Sequence, residues 1–435
     1  MGSDNVVPFG KTLREFQSEG VSKMLAFLLA KGHVYNASDP GCGKTIMTAV
    51  TLNHLKLKKI LIICPAVMRL TWEDEFLRWT TGKYKVGVIS SASDVKKCRD
   101  VDVLICSYEF TVKPENLKLL IESKFDVLIA DESHFIKTTK AKRTKAILKG
   151  LWPKIKYKIC LSGTPFTTGV MDGHSIFSKM HPDFGTKAEF GARYSTPELT
   201  PWGIKYKGIK RSAELKEIMF KNFMVRYRKE QVLTDLPDTV WKKIILDKKY
   251  SNKEYEKEVK RLIELGQFDF DERPLPTHIA SLRMFQGELK LPPILEYVEE
   301  MLEQGIPTVV FAYHTKIVNL LVEKLAKFKP VCIQGSTKDK ERFAAVTDFQ
   351  DGKTNLFIGQ MEAAGVGITL TRASECVLAE IPYGPATLNQ AVSRLERIGQ
   401  KNSITVHNFV VANSIDQRIL KILLEKQKIF NEVFS

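Results

Sequence analysis

The chain has 435 residues, 44% of them hydrophobic and 27% charged. At about 150 residues per domain this predicts two or three domains, and the balance excludes a collagen, a coiled coil or wholesale disorder. Lysine plus arginine exceeds aspartate plus glutamate by 66 − 50 = 16, a surplus that predicts a polyanionic partner, nucleic acid ahead of an anionic membrane.

Residues 1–11 lack the charged-then-apolar plan of a secretory signal. No apolar run reaches the roughly 18 residues that span a bilayer; the best, 21–30, is interrupted by Ser22 and Lys23. The expected location is the cytosol or the nucleus. Over the first 165 residues, short apolar runs at 33–37, 59–64, 101–107, 127–130 and 158–162 read as strands. Helical patterns, for example at 13–30 and 45–57, lie between them. Strands apolar on both faces and separated by helices predict βαβ units and a parallel sheet. Residues 166–287 lose that rhythm and carry Gly, Pro, aromatic and basic stretches, with helical patterns at 212–223 and 252–265.

Alternation resumes with helices at 293–304, 316–328, 339–350 and 386–394, strands at 308–312, 331–334, 355–358, 375–378 and 403–410, and a closing helix at 415–434. The expected fold is α/β: a first lobe over 1–165, an insertion and linker over 166–287, and a second lobe over 288–435. The seven cysteines, Cys42, Cys64, Cys98, Cys106, Cys160, Cys332 and Cys376, form no Cys-x-x-Cys pair. That argues against a disulfide framework or a structural zinc site. Basic charge is clustered, with nine Lys/Arg and no acid from Lys137 to Lys158, and four more from Lys205 to Arg211 beside Trp202 and Tyr206.

Asp39-Pro-Gly-Cys-Gly-Lys-Thr45 sits between a strand and a helix, the setting of a phosphate loop. Gly41, Cys42 and Gly43 would bring backbone N–H groups to the phosphates. Lys44 would reach the β- and γ-phosphates, and the Thr45 hydroxyl would ligate Mg²⁺. Asp131-Glu-Ser-His134 follows a buried strand, so that Asp131 would hold Mg²⁺ and Glu132 would deprotonate the attacking water. In the second lobe, Arg394 and Arg397 lie three apart, one helical turn, where guanidinium forks match phosphate oxygens. Gly365, Gly367 and Thr369 allow a tight backbone turn nearby.

Taken in order, these motifs resemble the superfamily 2 helicase core in its Swi/Snf-type branch of double-strand DNA translocases. Leu13-Arg-Glu-Phe-Gln17, with Arg14 and Gln17, resembles that branch's adenine-reading motif. The run from Ile60 through Trp72 to Trp79 resembles motif Ia, Leu161-Ser-Gly-Thr-Pro165 motif III, 223–237 the branch's basic segment, and 363–371 and 390–400 motifs V and VI. Departures fall at Ser38-Asp-Pro, at Gln360-Met-Glu, and at Ser393 and Glu396. Short strings at Arg193-Tyr194, Pro201-Trp-Gly203 and Glu214-Leu-Lys216 are most similar to the HepA-related annealing helicases.

The resemblance implies two RecA-like lobes and ATP with Mg²⁺ as cofactors. It also implies a DNA-dependent ATPase that steps along DNA and remodels forked or branched substrates in replication, recombination or repair. ATP would be gripped by Lys44, Thr45, Asp131 and Glu132 from one lobe and by Arg394 and Arg397 from the other, with Gly367 near the nucleotide. Arg69, Trp72, Thr164, Thr369 and Arg372 would touch the DNA backbone, and the basic middle region, with Trp202, Lys205 and Lys207, would add phosphate or base contacts. Phosphate contacts position without reading sequence, so the expected partner is DNA of any sequence, bound by a monomer with no membrane association. The alternatives are a protein-displacing or chromatin-remodelling translocase, a nucleic-acid scaffold that uses ATP only as a switch, and a small-molecule kinase.

Overall fold

The computed structural model describes residues 6–89, 94, 100–166, 169–200, 203–233, 237–246, 257, 260–261, 279–411 apart from 366, 383 and 398, and 414–424 apart from 418, 421 and 422. The chain divides into two compact units, one running to Thr234 and the other from Asp235 to Gln427.

In the first unit, β1 (His33–Asn36), β2 (Ile60–Cys64), β3 (Val86–Val88), β4 (Val103–Ser107), β5 (Val127–Asp131) and β6 (Tyr157–Leu161) are followed by a two-stranded antiparallel hairpin of β7 (Thr196–Thr200) and β8 (Gly203–Lys207), and then by β9 (Met224–Val225). The main sheet has the order β3-β4-β2-β5-β6-β1-β9, and each pairing is parallel. Strands β2, β4 and β5 are buried along their whole length. Side chains alternate between faces, so Ile60, Ile62 and Cys64 enter one core while Leu61 and Ile63 enter the other. Covering both faces of the sheet is what makes these strands read as unbroken apolar runs.

The expected boundaries at 165 and 287 are not where the chain divides. Phe166, Phe177, Phe184, Phe190, Tyr194, Met219 and Phe223 belong to the same buried cluster as Leu61 and Ala130, and β9 extends the sheet beyond β1. The stretch 166–233 lacks βαβ rhythm because its aromatic side chains pack helices onto one face of a sheet built elsewhere.

The second unit has β10 (Thr239–Leu246), β11 (Thr308–Ala312), β12 (Val331–Ile333), β13 (Leu356–Gln360), β14 (Glu375–Leu378) and β15 (Ile404–Val411), in the order β10-β15-β14-β11-β13-β12. These pairings too are parallel. The helix expected from residue 293 runs over Ile279–Glu303, through Pro292 and Pro293. Proline is favoured at a first helical position, which is why the sequence places a start there. Most of the expected helix over 252–265 and most of the one over 415–434 lie outside the described residues. No helix among the described residues is long and apolar enough to cross a membrane.

Candidate nucleotide-binding site

Three neighbouring strands, β1, β6 and β5, end together: Asn36 pairs with Leu161, and Leu161 with Asp131. The carboxyl edge of a parallel sheet is where α/β folds place ligands. The phosphate loop leaves β1 there, the acidic pair leaves β5, and Ser162-Gly-Thr164 leaves β6.

Gly41 and Gly43 have φ of +88° and +80°, the left-handed region that glycine enters without steric cost. The helix Lys44–Leu55 starts directly after Gly43, so the N–H groups of its first turn have no partner within the helix. Lys44 Nζ donates to the Ser38 and Asp39 carbonyls at 2.8 and 3.3 Å. Burial lowers its pKa, and Glu132, Asp131 and Asp39 oppose that shift. Burial also pushes the Cys42 thiol up to about 11. Gln17 is buried: its Oε1 accepts from the Arg14 N–H at 3.0 Å, and its Nε2 donates to the Cys42 carbonyl at 3.4 Å. The expected adenine reader therefore rests on the phosphate loop. A Cβ on Gly43 would lie 2.4 Å from Gln17 Nε2.

Asp131 is buried at the end of β5. Its Oδ2 accepts from Trp72 Nε1 at 2.8 Å and its Oδ1 from the Glu132 N–H at 3.0 Å. Burial, and then the charge of Glu132, raise its pKa, while Lys44 and the Trp72 N–H act against them. Each carboxylate oxygen keeps a lone pair beyond the one that accepts. Mg²⁺ is usually held by one or two carboxylates together with substrate phosphates and water. Asp131 keeps acceptor capacity of that kind. Among the described residues no cluster of three or more His, Cys, Asp or Glu forms a self-sufficient metal cage.

Glu132 has φ 51° and ψ 50°. His134 Nδ1 lies 3.2 Å from Glu132 Oε2 and 3.0 Å from Ser162 Oγ. Ser162 Oγ in turn accepts from the Thr164 N–H at 3.2 Å. A Cβ on Gly163 would lie 2.9 Å from Pro40 Cδ, so this turn packs directly on the phosphate loop.

In the second unit, helix Pro385–Val392 ends before Arg394. Arg394 and Arg397 therefore follow it in turns and do not share a helix face, because the backbone closes on itself through Arg394 N–H to the Ala391 carbonyl and Arg397 N–H to the Leu395 carbonyl. Arg394 is buried, its Nε donates to the Gln390 carbonyl at 2.9 Å, and its carbonyl accepts from the Leu370 N–H at 2.8 Å. Arg397 Nη1 donates to Thr369 Oγ1 at 2.9 Å. The turn holding Thr369 needs the positive φ of Gly367, +75°.

Residues 17–280 match the SNF2-related domain, and residues 293–399 match the helicase conserved C-terminal domain. The chain belongs to the SNF2-related family. Its relatives include the SWI/SNF-related matrix-associated actin-dependent regulator of chromatin subfamily A-like protein 1 of Xenopus tropicalis, 28% identical over 433 residues, covering 97% of this chain and 45% of that one. Another is the human DNA annealing helicase and endonuclease ZRANB3, 27% identical over 458 residues, covering 98% of this chain and 41% of that one. The SNF2-related chain thus spans less than half the length of these relatives. Among solved structures, the SWI2/SNF2 ATPase core of Sulfolobus solfataricus in complex with dsDNA is similar at 24% identity and a TM-score of 0.49, covering 99% of this chain and 95% of that one.

Several residues expected on a DNA surface make contacts within their own unit of the SNF2-related fold, and two of them, Trp72 and Thr164, are buried. Trp72 is fully buried and orients Asp131. Thr164 is buried beside the phosphate loop. Arg372 is tied down: its guanidinium donates to the Phe349 and Thr354 carbonyls and to Asn355 Oδ1, at 3.2, 2.9 and 2.5 Å. Arg69 donates to the Ala66 and Ile89 carbonyls at 2.7 and 2.8 Å, which fastens the loop after β2. Thr369 accepts from Arg397. Lys207 is exposed and paired with Glu198 at 2.7 Å. Trp202 and the side chain of Lys205 lie outside the described residues.

Two SNF2-related contacts were not foreseen. One is the His134–Ser162 link, whose only signal was the position of His134 three residues after Asp131. The other is the pairing of Arg226, within the 223–237 segment, with Asp39, 187 residues away, which no local pattern signals.

Proposed function

We propose that this SNF2-related chain is a Mg²⁺- and ATP-dependent motor that acts as a monomer on double-stranded DNA of any sequence. Its proposed substrates are forked or branched DNA, which it would remodel by branch migration, fork regression or annealing. The observation that carries the reading is the meeting of Lys44, Asp131, Glu132 and the His134–Ser162 link at the carboxyl ends of β1, β5 and β6. A phosphate loop alone serves many reactions. A phosphate loop beside a carboxylate pair, one member wired to a neighbouring loop, suits hydrolysis coupled to movement.

In this proposal Lys44 and the amides of 41–45 hold the phosphates, and Thr45 with Asp131 holds Mg²⁺, which when bound would neutralise charge on the β- and γ-phosphates. Glu132 takes the proton of the attacking water. Arg397, with Arg394, is proposed for the arginine-finger role, worth roughly 10³–10⁵ in rate in related phosphoryl transfers. Annealing activity is proposed here because a relative matched along almost the whole of this chain carries it in its name.

ATPase turnover measured with single-stranded, duplex, forked and four-way DNA tests the reading. Stimulation by forked or four-way DNA beyond plain duplex is expected. Equal stimulation by all duplex-containing substrates would leave a generic translocase, and no DNA-stimulated turnover would leave a scaffold.

A further inference from the structure

The side chain of Arg226 is 5% exposed, and it lies just past β9. Its Nη1 donates to the Ala37 carbonyl at 2.6 Å and its Nη2 to Asp39 Oδ1 at 2.7 Å. The neighbouring backbone repeats the contact. Asp39 Oδ2 accepts from the Lys229 N–H at 3.1 Å, and Ser38 Oγ from the Tyr227 N–H at 3.1 Å. In the other direction, the Tyr227 carbonyl accepts from the Asp39 N–H at 3.0 Å and from Cys42 Sγ at 3.7 Å, and the Val225 carbonyl accepts from the Ala37 N–H at 2.7 Å. Residues 225–229 thus form a strap along the outer side of 37–42. The carbonyls that receive Lys44 Nζ belong to Ser38 and Asp39, both of which the strap contacts.

We propose that Arg226 is a positioning residue for the phosphate loop, setting the loop's shape through Asp39 and the Ala37 carbonyl. The inference rests on reading 38–45 as a nucleotide phosphate loop. It adds a distant residue of the same unit on which that loop depends. An arginine suits the position because its planar fork reaches a carbonyl and a carboxylate at once, which an ammonium cannot do with one fixed geometry. Removing it would leave Asp39 without its buried counter-charge and release the carbonyl that continues β1 into the loop. The loop would sample more shapes, and ATP would have to select one of them.

Cys42 supplies a reporter that does not depend on turnover. Its thiol is buried against the Tyr227 carbonyl, while Cys64, Cys106 and Cys160 are buried elsewhere in the same unit. The experiment is labelling of the full chain with N-ethylmaleimide, read cysteine by cysteine by peptide mass, alongside binding of a non-hydrolysable ATP analogue. In Arg226→Ala, labelling of Cys42 is expected to quicken at least tenfold, with Cys64, Cys106 and Cys160 unchanged, and analogue affinity to fall at least tenfold. Arg226→Lys should lie between, and the charge swap Arg226→Asp with Asp39→Arg should recover part of both effects. An unchanged Cys42 rate, an unchanged affinity, or a rise at all four cysteines together would overturn the proposal; the last would mean that Arg226 only stabilises the unit. A wild-type chain that binds no analogue would sink the nucleotide reading instead, and the labelling rates would still decide whether Arg226 holds the loop.

Discussion

Glu132 is held where a glutamate rarely sits. A left-handed backbone costs a residue with a Cβ on the order of 1–3 kcal/mol and persists only where its surroundings enforce it. Here they do: the Glu132 N–H is bound to the Asp131 carboxylate and its carbonyl accepts from the Phe135 N–H at 2.9 Å. The Glu132 side chain lies beside His134, its Oε2 3.2 Å from Nδ1. Asp131, by contrast, is fixed through its side chain, by the indole N–H of Trp72. Glu132→Gln keeps shape and volume and removes only the basic oxygen. ATP should bind with near wild-type affinity while turnover falls by roughly 10²–10⁴, the usual worth of a positioned general base. Single-turnover hydrolysis beside analogue binding checks this, and full hydrolysis in the variant would take Glu132 out of the reaction. That Lys44, Asp131 and Glu132 come together at one sheet edge was legible because each lies in a short contiguous motif at a strand end. The burial of Trp72 and Thr164 was not: whether a polar or aromatic side chain faces solvent or the interior depends on what packs over it, and that packing comes from distant parts of the chain.

The strands on which these residues sit were legible for a related reason. A strand buried on both faces carries apolar residues without alternation, and β2, β4, β5 and β11 are of that kind. Strands β9 and β10 escaped notice. The first has two residues, and the second is an edge strand with Val240, Trp241 and Ile245 exposed among lysines, so neither shows the period its sheet would impose. The loop after β6 illustrates how elements meet at the site. Gly163 has no room for a side chain because Pro40 stands against it. Gly163→Ala must push the phosphate loop by several tenths of an ångström or more, at a cost of about 1–3 kcal/mol for an overpacked contact. That predicts an ATP affinity lower by roughly 5- to 150-fold, since 1.4 kcal/mol is a factor of ten, with the far-ultraviolet circular dichroism unchanged. Wild-type affinity in Gly163→Ala would show that the loop yields without consequence for the nucleotide.

At the scale of the molecule the net charge of +16 is the property least tied to the fold. Two parallel-sheet units, each with its own buried clusters, do not need that surplus. Part of it is answered locally, as where Arg143 lies over the Phe135 ring, 5.4 Å from its centroid, and within 3.8 Å of Glu109. Lys142, Lys145 and Lys149 are exposed, on the short helix Lys142–Lys145 and the π-helical turn Ala146–Leu151 that continues it, close in sequence to the Asp131–Glu132 pair. If this face carries DNA, its lysines displace counterions from phosphates, and the logarithm of the binding constant falls with the logarithm of salt by about 0.9 per phosphate contact on duplex. Replacing Lys142, Lys145 and Lys149 together by alanine should therefore flatten that slope by about 2.7 and weaken binding similarly on unrelated sequences. Fluorescence anisotropy with two duplexes of different sequence across a salt series measures both quantities. A slope equal to that of the unaltered chain would move the DNA path off this face, and a sequence-dependent loss would contradict a grip made through phosphates.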